Sequence, residues 1–343
     1  FILSMRSCSL CGWRGCTHCP PLQICPAVPG VPGAEKPIKV RYSGDHLDAS
    51  WAHVIMFPAT GDFSQFTLPQ KREPHQEWIA IAGESSHWWP HVETLTDDKR
   101  FATVMGYARH YSDMHAAYMP SNFSELQVPR SWSLEETEDF KPEADAVLFV
   151  SNCHSESRTE WLKGLMEAMK VDSFGACLNT RTLPVGLRRR ETQGDVDQVF
   201  ERGGAWGTAQ AGQSDVKMLV TSHYTFGLAV ENTREPDYIT EKLYEVLAAG
   251  AIPVYLGAPN WREFFPVENA VIDAGEFDGP HDLAEYLTAL AKDPARLATF
   301  HEWRKVALPP AVHALENVSF THNLCRACRW KAARSGLPTV TRG

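Results

Sequence analysis

The chain has 343 residues, enough for two domains, and 43% of them are hydrophobic, as expected for a globular protein with a sizeable core. Its 42 acidic residues outnumber the 33 basic ones and give a formal net charge of −9. This balance argues against nucleic acid or an anionic membrane surface as the main partner, and it leaves room for a local basic pocket that binds phosphate. No stretch approaches the roughly 20 apolar residues that a membrane-spanning helix needs.

The first 37 residues combine a cysteine cluster with a Pro/Gly-rich linker, and they are interpreted as a stem or linker. The cluster contains two CxxC pairs, Cys8/Cys11 and Cys16/Cys19, which could hold zinc. The spacer between the pairs is shorter than in zinc ribbons, so disulfides or a disordered stem are the alternatives. The chain does not open on Met, which leaves a removed signal or anchor and a fragment boundary equally open.

The remaining cysteines and two glycosylation sequons lie outside the N-terminal cluster. Cys153 and Cys177 each stand alone and are interpreted as buried thiols. N-x-S sequons occur at Asn122 and Asn317, both of which are predicted glycosylation sites. Clustered cysteines and sequons together favour the lumen of the secretory pathway.

Short β-rich runs follow the linker. They predict strands over 53–59, 77–83 and 101–108. The polar loop "SWSLEETEDFKPEADA" then closes this half of the chain, which predicts a first domain over 38–145.

A regular alternation of strand and helix begins at residue 146. Strands are predicted over 146–152, 224–231 and 251–257. One intervening helix places on a single face the residues Trp161, Leu162, Leu165, Met166 and Met169. A helix near 238–249 has on one face Ile239, Leu243, Val246 and Leu247, and Gly250 follows its end. Asp293 and Pro294 are predicted to cap and open a later helix.

Strand, helix and strand with short connections predict a parallel sheet of Rossmann type, so the second domain is placed over 146–343. No G-x-G-x-x-G lies between a strand and a helix, because "RGGAWG" falls in a polar insertion over 181–216. A dinucleotide-dependent dehydrogenase is therefore not expected. "DVD" at 195–197 lies in the same insertion and is interpreted as surface charge rather than as a metal motif.

The segment 231–260 contains a lysine at an unfavourable place. Lys242 falls in the first turn of a predicted helix, where the helix dipole repels a cation. Ligands of open parallel sheets bind in front of such helix ends, so an anionic ligand would account for Lys242. Glu241 could accept hydrogen bonds from sugar hydroxyls, and Asn232 and Tyr238 are expected nearby, which predicts a nucleotide-sugar site. A solvated Glu–Lys pair is the alternative.

The string "FGLAVENTREPDYITEKLYEVLAAGAIPVYLGAPN" closely resembles the donor-binding signature of the α1,3-fucosyltransferases, glycosyltransferase family 10, with Val230 and Thr233 as mild departures. Further family blocks are resembled, in the same order, by "ESSHWWP", "VMGYARHYSDM", "FVSNCHSESR", "VDSFGACLNTR" and "HNLCRACRW". The resemblance covers about residues 50 to 330. It implies an α/β protein of GT-B architecture, in which two Rossmann-like domains face a cleft. The N-terminal domain would bind the acceptor and the C-terminal domain GDP-fucose.

The resemblance implies inverting transfer of L-fucose from GDP-fucose to a GlcNAc hydroxyl, which needs a base and cationic support for departing GDP. Glu84 matches the family base, and Arg158 matches the arginine that clamps the diphosphate. The other donor-binding residues implied are Ser151, Asn152, Tyr224, Asn232, Tyr238, Glu241 and Lys242. An acceptor platform is expected from His87, Trp88 and Trp89, with core packing as the alternative for the tryptophans.

Family resemblance also implies that no metal is required, although Mn²⁺ often stimulates such enzymes, and that Cys325 and Cys328 form a local disulfide in the tail. It implies a Golgi-lumen, type II membrane protein whose anchor would precede this chain. "LGAPN" and the tail favour plant-type enzymes that act on the N-glycan core, with Lewis-type enzymes on outer lactosamine as the nearest alternative. A non-catalytic glycan- or sugar-nucleotide-binding protein and a transferase for another nucleotide sugar are the remaining alternatives.

Overall fold

The structure is a computed structural model. It describes residues 2–4, 22–25, 38–43, 52–59, 72–120, 122–129, 140–183, 216–319 and 323–335. The CxxC pairs within 8–19 and the "DVD" and "RGGAWG" segments lie outside these residues. The chain forms two compact units, one made of Phe1–Ala116 and His322–Gly343 and the other of Ala117–Thr321.

Strands and helices are numbered in chain order. The strands are β1 Ile2–Ser4, β2 Leu22–Cys25, β3 Ile38–Ser43, β4 Val54–Pro58, β5 Glu77–Ala82, β6 Thr103–Gly106, β7 Met114–His115, β8 Ala146–Phe149, β9 Val171–Phe174, β10 Phe226–Val230, β11 Ile252–Leu256 and β12 Ile272–Asp273. The α-helices whose full extent lies within the described residues are α1 Glu156–Ala168, α2 Glu241–Ala249, α3 Pro280–Leu290, α4 Pro294–Thr299, α5 Pro310–Glu316 and α6 Asn323–Ser335. Short 3-10 helices span Pro90–Asp97, Phe123–Gln127, Trp261–Glu263, Ala274–Glu276 and Glu302–Lys305.

The first unit is built on a seven-stranded sheet in the order β2-β3-β1-β4-β5-β6-β7. Strands β4 to β7 pair in parallel, whereas β1, β2 and β3 pair antiparallel. The apolar run of β5 is buried from Trp78 to Ala82, as expected for a parallel strand covered on both faces. The strands predicted near 53–59, 77–83 and 101–108 are confirmed with shorter ends.

The C-terminal helix α6 belongs to the first unit, and its disulfide differs from the predicted one. Cys325 of α6 is bonded to Cys25 of β2, and their Cα atoms lie 5.5 Å apart. The predicted pairing of Cys325 with Cys328 is therefore wrong, because α6 packs on the sheet with Cys325 facing β2. Cys328 is a buried free thiol, and burial raises its pKa to about 12.

The second unit carries a five-stranded, fully parallel sheet in the order β12-β11-β10-β8-β9. Counted along the chain, this is the doubly wound order 2-1-3-4-5. The order reverses between β8 and β10, so the carboxyl ends of these two strands form the topological switch point. The predicted parallel sheet of the second half is confirmed.

Helices cover this sheet through the apolar faces that their sequences predict. On α1, Leu162 and Leu165 are fully buried, and the other predicted face residues pack beside them. On α2, Leu243 and Leu247 are fully buried. Close packing of α2 on β10 requires a glycine, because a Cβ on Gly227 would lie 2.5 Å from a methyl group of Val246.

Gly250 ends α2 with a φ of 91°, as its predicted position after the helix requires. We expect Gly250→Ala to lower the free energy of unfolding by about 1–2 kcal/mol, because an alanine strains in this left-handed conformation. Gly250→Asn is the matched control, since it adds the same Cβ beside Pro129 but tolerates the conformation better. In urea unfolding, the free energy of unfolding should be highest for the native chain, lower for Gly250→Asn and lowest for Gly250→Ala. A larger loss for asparagine would contradict the conformational explanation.

The compact units divide the chain differently from the predicted domains over 38–145 and 146–343. Part of 117–145 joins the second unit, where Phe123 stacks on Phe265 at 5.9 Å between ring centroids. The tail joins the first unit through α6. Among the described residues, no helix is long and apolar enough to cross a membrane.

Candidate functional site

A cavity of about 460 Å³ lies at the switch point of the five-stranded sheet. Segments that follow β8, β9 and β10 form it together with the first turn of α2. The lining residues are Phe149, Val150, Ser151, Asn152, Arg158, Phe174, Gly175, Asn179, Arg181, Thr182, Leu183, Lys217, Asn232 and Lys242. Both its position and its size are those of ligand sites in doubly wound sheets.

Most residues predicted to bind the donor lie at this cavity. Those that line it are Ser151, Asn152, Arg158, Asn232 and Lys242. Glu241, the first residue of α2, is exposed, and Tyr238 is buried in the loop before it. The structure thus brings these residues together, while their roles in binding stay predictions.

Tyr224 is another predicted donor residue that does not line the cavity. It lies before β10, at the amino end of the strand, whereas the cavity lies at the carboxyl ends. Its hydroxyl donates to Asp172 Oδ2 at 2.8 Å, and burial raises the pKa of the phenol. Tyr224 packs against Phe140 in a hydrophobic cluster, and its hydroxyl accepts from Arg181, which lines the cavity, at 3.4 Å. Its role at the donor site stays a prediction.

Arg158 is fixed in the first turn of α1. Ser155, before this helix, donates its hydroxyl to the Asn232 carbonyl at 2.7 Å, which joins the segments after β8 and β10. Arg158 is 7% exposed and donates from one terminal nitrogen to the Asn152 carbonyl. Its Nε has no hydrogen-bond partner in the described part of the chain. Burial lowers the pKa of Arg158, and the charges of Glu231 and Tyr238 oppose that fall.

Lys242 is held by a carboxylate that the sequence analysis did not assign to the site. Its Nζ lies 3.1 Å from Glu231 Oε2 and 2.7 Å from Thr240 Oγ1. A third contact, 3.4 Å long, reaches the exposed carboxylate of Glu241. Desolvation would lower the pKa of Lys242, but Glu231 and Glu241 outweigh it and hold the pKa above its ordinary value. The buried carboxylate of Glu231 therefore offsets part of the repulsion between the helix dipole and the Lys242 ammonium.

The cavity is cationic although the chain is acidic. Arg181 and Lys217 line it beside Arg158 and Lys242, and no carboxylate is among the lining residues that the structure describes. Arg181 also donates to Asp172 at 2.7 Å. Arg181 and Lys217 were not predicted as site residues, because they lie at the two ends of the predicted polar insertion.

A turn of unusual backbone leads into α2. Asp237 has a φ of 67°, a conformation that Asp and Asn adopt more readily than most residues. Asn260 fixes it from both sides, accepting from the Asp237 amide at 2.9 Å and donating to its carboxylate at 2.8 Å. Asn260, in the "LGAPN" segment, therefore shapes the loop before α2.

A disulfide joins two loops that border the cavity. Cys153 follows the lining residue Asn152, and it is bonded to Cys177, which follows the lining residue Gly175. The interpretation of Cys153 and Cys177 as buried thiols is therefore wrong. Their loops come from the neighbouring parallel strands β8 and β9, which the sequence alone does not place side by side.

We expect the double variant Cys153→Ser, Cys177→Ser to lose about 3 kcal/mol of unfolding free energy, because the disulfide closes a loop of 24 residues. Because two walls of the cavity lose their link, it should also bind GDP, the ligand that the family resemblance implies, more weakly. Calorimetry and urea unfolding measure the two effects. The double variant Cys25→Ser, Cys325→Ser is the control and should keep the GDP affinity of the native chain. Equal GDP affinities in both variants would contradict the expectation.

Predicted catalytic and acceptor residues lie in the first unit, just beyond β5. Glu84 is partly exposed at the carboxyl end of this strand. The next turn is closed by the Ser85 carbonyl, which accepts from the amides of Trp88 and Trp89 at 3.1 Å each. His87 is exposed and meets Trp88 edge to face, while both tryptophans are half-buried. Their roles as base and acceptor platform stay predictions.

Both predicted glycosylation sites have exposed asparagines. Asn122 caps the 3-10 helix that follows it, accepting from the Ser124 amide at 3.1 Å. Asn317 is exposed, but the Ser319 of its sequon is fully buried and donates to the Met119 carbonyl. Modification at either asparagine stays a prediction.

Taken together, the second unit is a doubly wound α/β domain with a cationic cavity at its switch point, the class of fold that binds nucleotides there. A family model described as "Glycosyltransferase family 10 (fucosyltransferase) C-term" matches residues 141–340. The chain belongs to glycosyltransferase family 10, the fucosyltransferases. The family resemblance read from the motifs is thereby confirmed.

Similar proteins are found in both animals and plants. Alpha-(1,3)-fucosyltransferase B of Drosophila melanogaster is 27% identical over 80% of this chain and 58% of its own length. GDP-fucose protein O-fucosyltransferase 3 of Xenopus tropicalis is 30% identical over 76% of this chain and 51% of its own length. The chain thus spans a little over half the length of these curated relatives. They do not single out a plant-type enzyme.

A solved structure supports the fold. The crystal structure of an alpha1,3-fucosyltransferase with GDP-fucose superposes with a TM-score of 0.51 at 14% identity, over 85% of this chain and 79% of that one. At this identity the likeness concerns the fold alone. It confirms the predicted α/β fold of GT-B type.

Proposed function

We propose that this chain transfers L-fucose, with inversion, from GDP-β-L-fucose to a hydroxyl of a glycan or glycoprotein. The observation that carries the proposal is the cavity at the switch point, where four cationic side chains meet in an acidic chain. A nucleoside diphosphate is an anion that suits such a cavity. Family membership, and the donor named for the similar crystal structure, support GDP-fucose as the ligand.

In the proposed reaction, an acceptor hydroxyl oxygen attacks the anomeric carbon of fucose while the bond from that carbon to GDP breaks. Glu84 takes the hydroxyl proton, and GDP leaves with the electron pair of the broken bond. Arg158 and Lys242 stabilise the charge that develops on the diphosphate. Asn232, Tyr238 and Glu241 border the ribose and the fucose. No metal is required, and Mn²⁺ can stimulate turnover.

For the acceptor, we propose α1,3-linkage to the innermost GlcNAc of N-glycans, with outer lactosamine as the alternative. A second candidate is a protein hydroxyl, because several of the similar relatives are named GDP-fucose protein O-fucosyltransferase 3. His87, Trp88 and Trp89 would contact a sugar acceptor. The proposed setting is the Golgi lumen, with an anchor in a longer form of the protein.

The test is release of GDP from GDP-fucose with each of three acceptors: a truncated N-glycan core, an N-acetyllactosamine oligosaccharide, and folded protein domains that carry free serine and threonine hydroxyls. Acceptor-dependent release on one of them identifies the acceptor class. UDP-sugars serve as the donor control and should give no turnover. GDP binding without turnover on any acceptor would favour a binding protein, and failure to bind GDP would refute the proposal.

A further inference from the structure

A buried carboxylate lies behind the cavity at the carboxyl end of β10. Glu231 is 2% exposed, its side chain is fully covered, and it is not a lining residue. Burying a charged group is strongly unfavourable unless that group is paired and hydrogen-bonded. The groups that pair with Glu231 therefore indicate the role of its charge.

Within the described part of the chain, the hydrogen bonds and the ion pair of this carboxylate come from Thr240 and Lys242, at the amino end of α2. Glu231 accepts from the Thr240 amide at 2.7 Å and from the Thr240 hydroxyl at 2.8 and 3.0 Å. The Lys242 ammonium lies 3.1 Å away. The Thr240 hydroxyl in turn accepts from Lys242 Nζ at 2.7 Å. Glu231 thus fixes both the residue that caps α2 and the cation in its first turn.

The backbone around Glu231 makes room for it. A Cβ on Gly257 would lie 2.6 Å from the Glu231 Cγ and 2.2 Å from the Tyr255 hydroxyl. A larger residue at position 257 would therefore force the Glu231 side chain, the Tyr255 ring or the backbone to shift. This close approach shows a built position and not a chance burial.

Of the three side-chain contacts that Lys242 Nζ makes with described residues, those to Glu231 and Thr240 are internal. The third is the 3.4 Å contact to Glu241, whose side chain is 49% exposed. A phosphate oxygen entering the cavity can replace this outer contact while the inner two persist. The ammonium is therefore already held at the cavity wall before a ligand binds.

We infer that Glu231 is a positioning residue for the donor diphosphate, holding the Lys242 ammonium and the amino end of α2 in their binding arrangement. Glu231 acts through Lys242 and does not touch the ligand. This inference rests on the proposed function, since it takes the ligand to be a nucleoside diphosphate.

The experiment compares GDP with GMP, because only GDP carries the second phosphate. Calorimetric affinities are measured for the native chain, Glu231→Gln, Lys242→Gln and the double variant. We expect Glu231→Gln to lower the ratio of GDP to GMP affinity about tenfold, as loss of one well-placed charged contact does. In the Lys242→Gln background the same change should leave the ratio unaltered. Glu276→Gln, on an exposed carboxylate paired with Arg262, is the control and should change neither affinity.

Distinct results overturn the inference. A Glu231→Gln variant that weakens GDP and GMP alike would show a merely structural role, and additive losses in the double variant would show that Glu231 does not act through Lys242. If Glu231→Gln does not fold, Glu231→Asp keeps the charge but withdraws it by one methylene, and an unchanged ratio there overturns the inference. Failure of the native chain to bind GDP would refute the proposed function as well, whereas the other results leave it standing.

Discussion

Glu84→Gln should reduce acceptor-dependent release of GDP by about 10²- to 10⁴-fold, the usual contribution of a general base. The amide keeps the shape of the side chain but cannot take a proton from the acceptor hydroxyl. GDP affinity should be unchanged, because the cationic cavity belongs to the other unit and Glu84 is not among its lining residues. Steady-state kinetics with the best acceptor, together with calorimetry for GDP, would separate the two effects.

Glu93→Gln is the matched control for Glu84→Gln. Glu93 is exposed on the 3-10 helix Pro90–Asp97 of the same unit, and its replacement should leave turnover near the native level. A native rate in Glu84→Gln would remove Glu84 from the mechanism. A loss of GDP affinity in that variant would mean that Glu84 supports donor binding rather than proton transfer.

Lys242→Gln should damage both the donor site and the fold. Loss of the ammonium is expected to weaken GDP binding by about 10- to 100-fold, the value of a charged hydrogen bond. It also leaves the Glu231 carboxylate buried without its cation, which costs about 3–5 kcal/mol of unfolding free energy. Lys170→Gln is the control, because the Lys170–Glu143 pair is exposed on both sides and should contribute little.

The stability loss in Lys242→Gln should depend on pH. Burial already raises the pKa of Glu231 in the native chain, and Lys242 works against that rise. Without Lys242 the folded-state pKa rises further above its unfolded value. A carboxyl group whose pKa is higher in the folded than in the unfolded protein contributes its full stability below the unfolded pKa. This contribution to the free energy of unfolding is lost as the pH rises through the folded pKa. The deficit should therefore be largest near pH 8 and shrink towards about pH 5, and a deficit independent of pH would contradict this account.

Local patterns in the sequence were sufficient for most of the second unit. The apolar runs that became β8, β10 and β11 are bounded by turn residues, and the spacing of Leu243 and Leu247 defines α2 up to Gly250. These features depend on neighbouring residues, so periodicity can reveal them. The order of the strands depends on distant residues, so the sequence predicted a parallel sheet of Rossmann type but not the order of its strands.

Features that depend on distant residues escaped prediction. Glu231 resembles a solvated charge at a strand end, because nothing nearby in sequence shows that α2 and Gly257 enclose it. Tyr224 was assigned to the nucleotide on family resemblance, and it does not line the cavity itself, because its hydroxyl is bound by Asp172 and by Arg181 of the cavity wall. The partner of Cys325 lies 300 residues away, and a CxxC pattern suggests a local bond instead.

The bond between Cys25 and Cys325 also constrains how the protein is made. The first unit draws on both ends of the chain, while the second is one continuous segment, Ala117–Thr321. A ribosome delivers residues in order, so the second unit is complete before the α6 helix has been synthesised. The first unit, whose sheet is synthesised first, thus receives its last helix and its disulfide at the end of synthesis. A nascent chain that stops short of Cys325 leaves Cys25 without this partner.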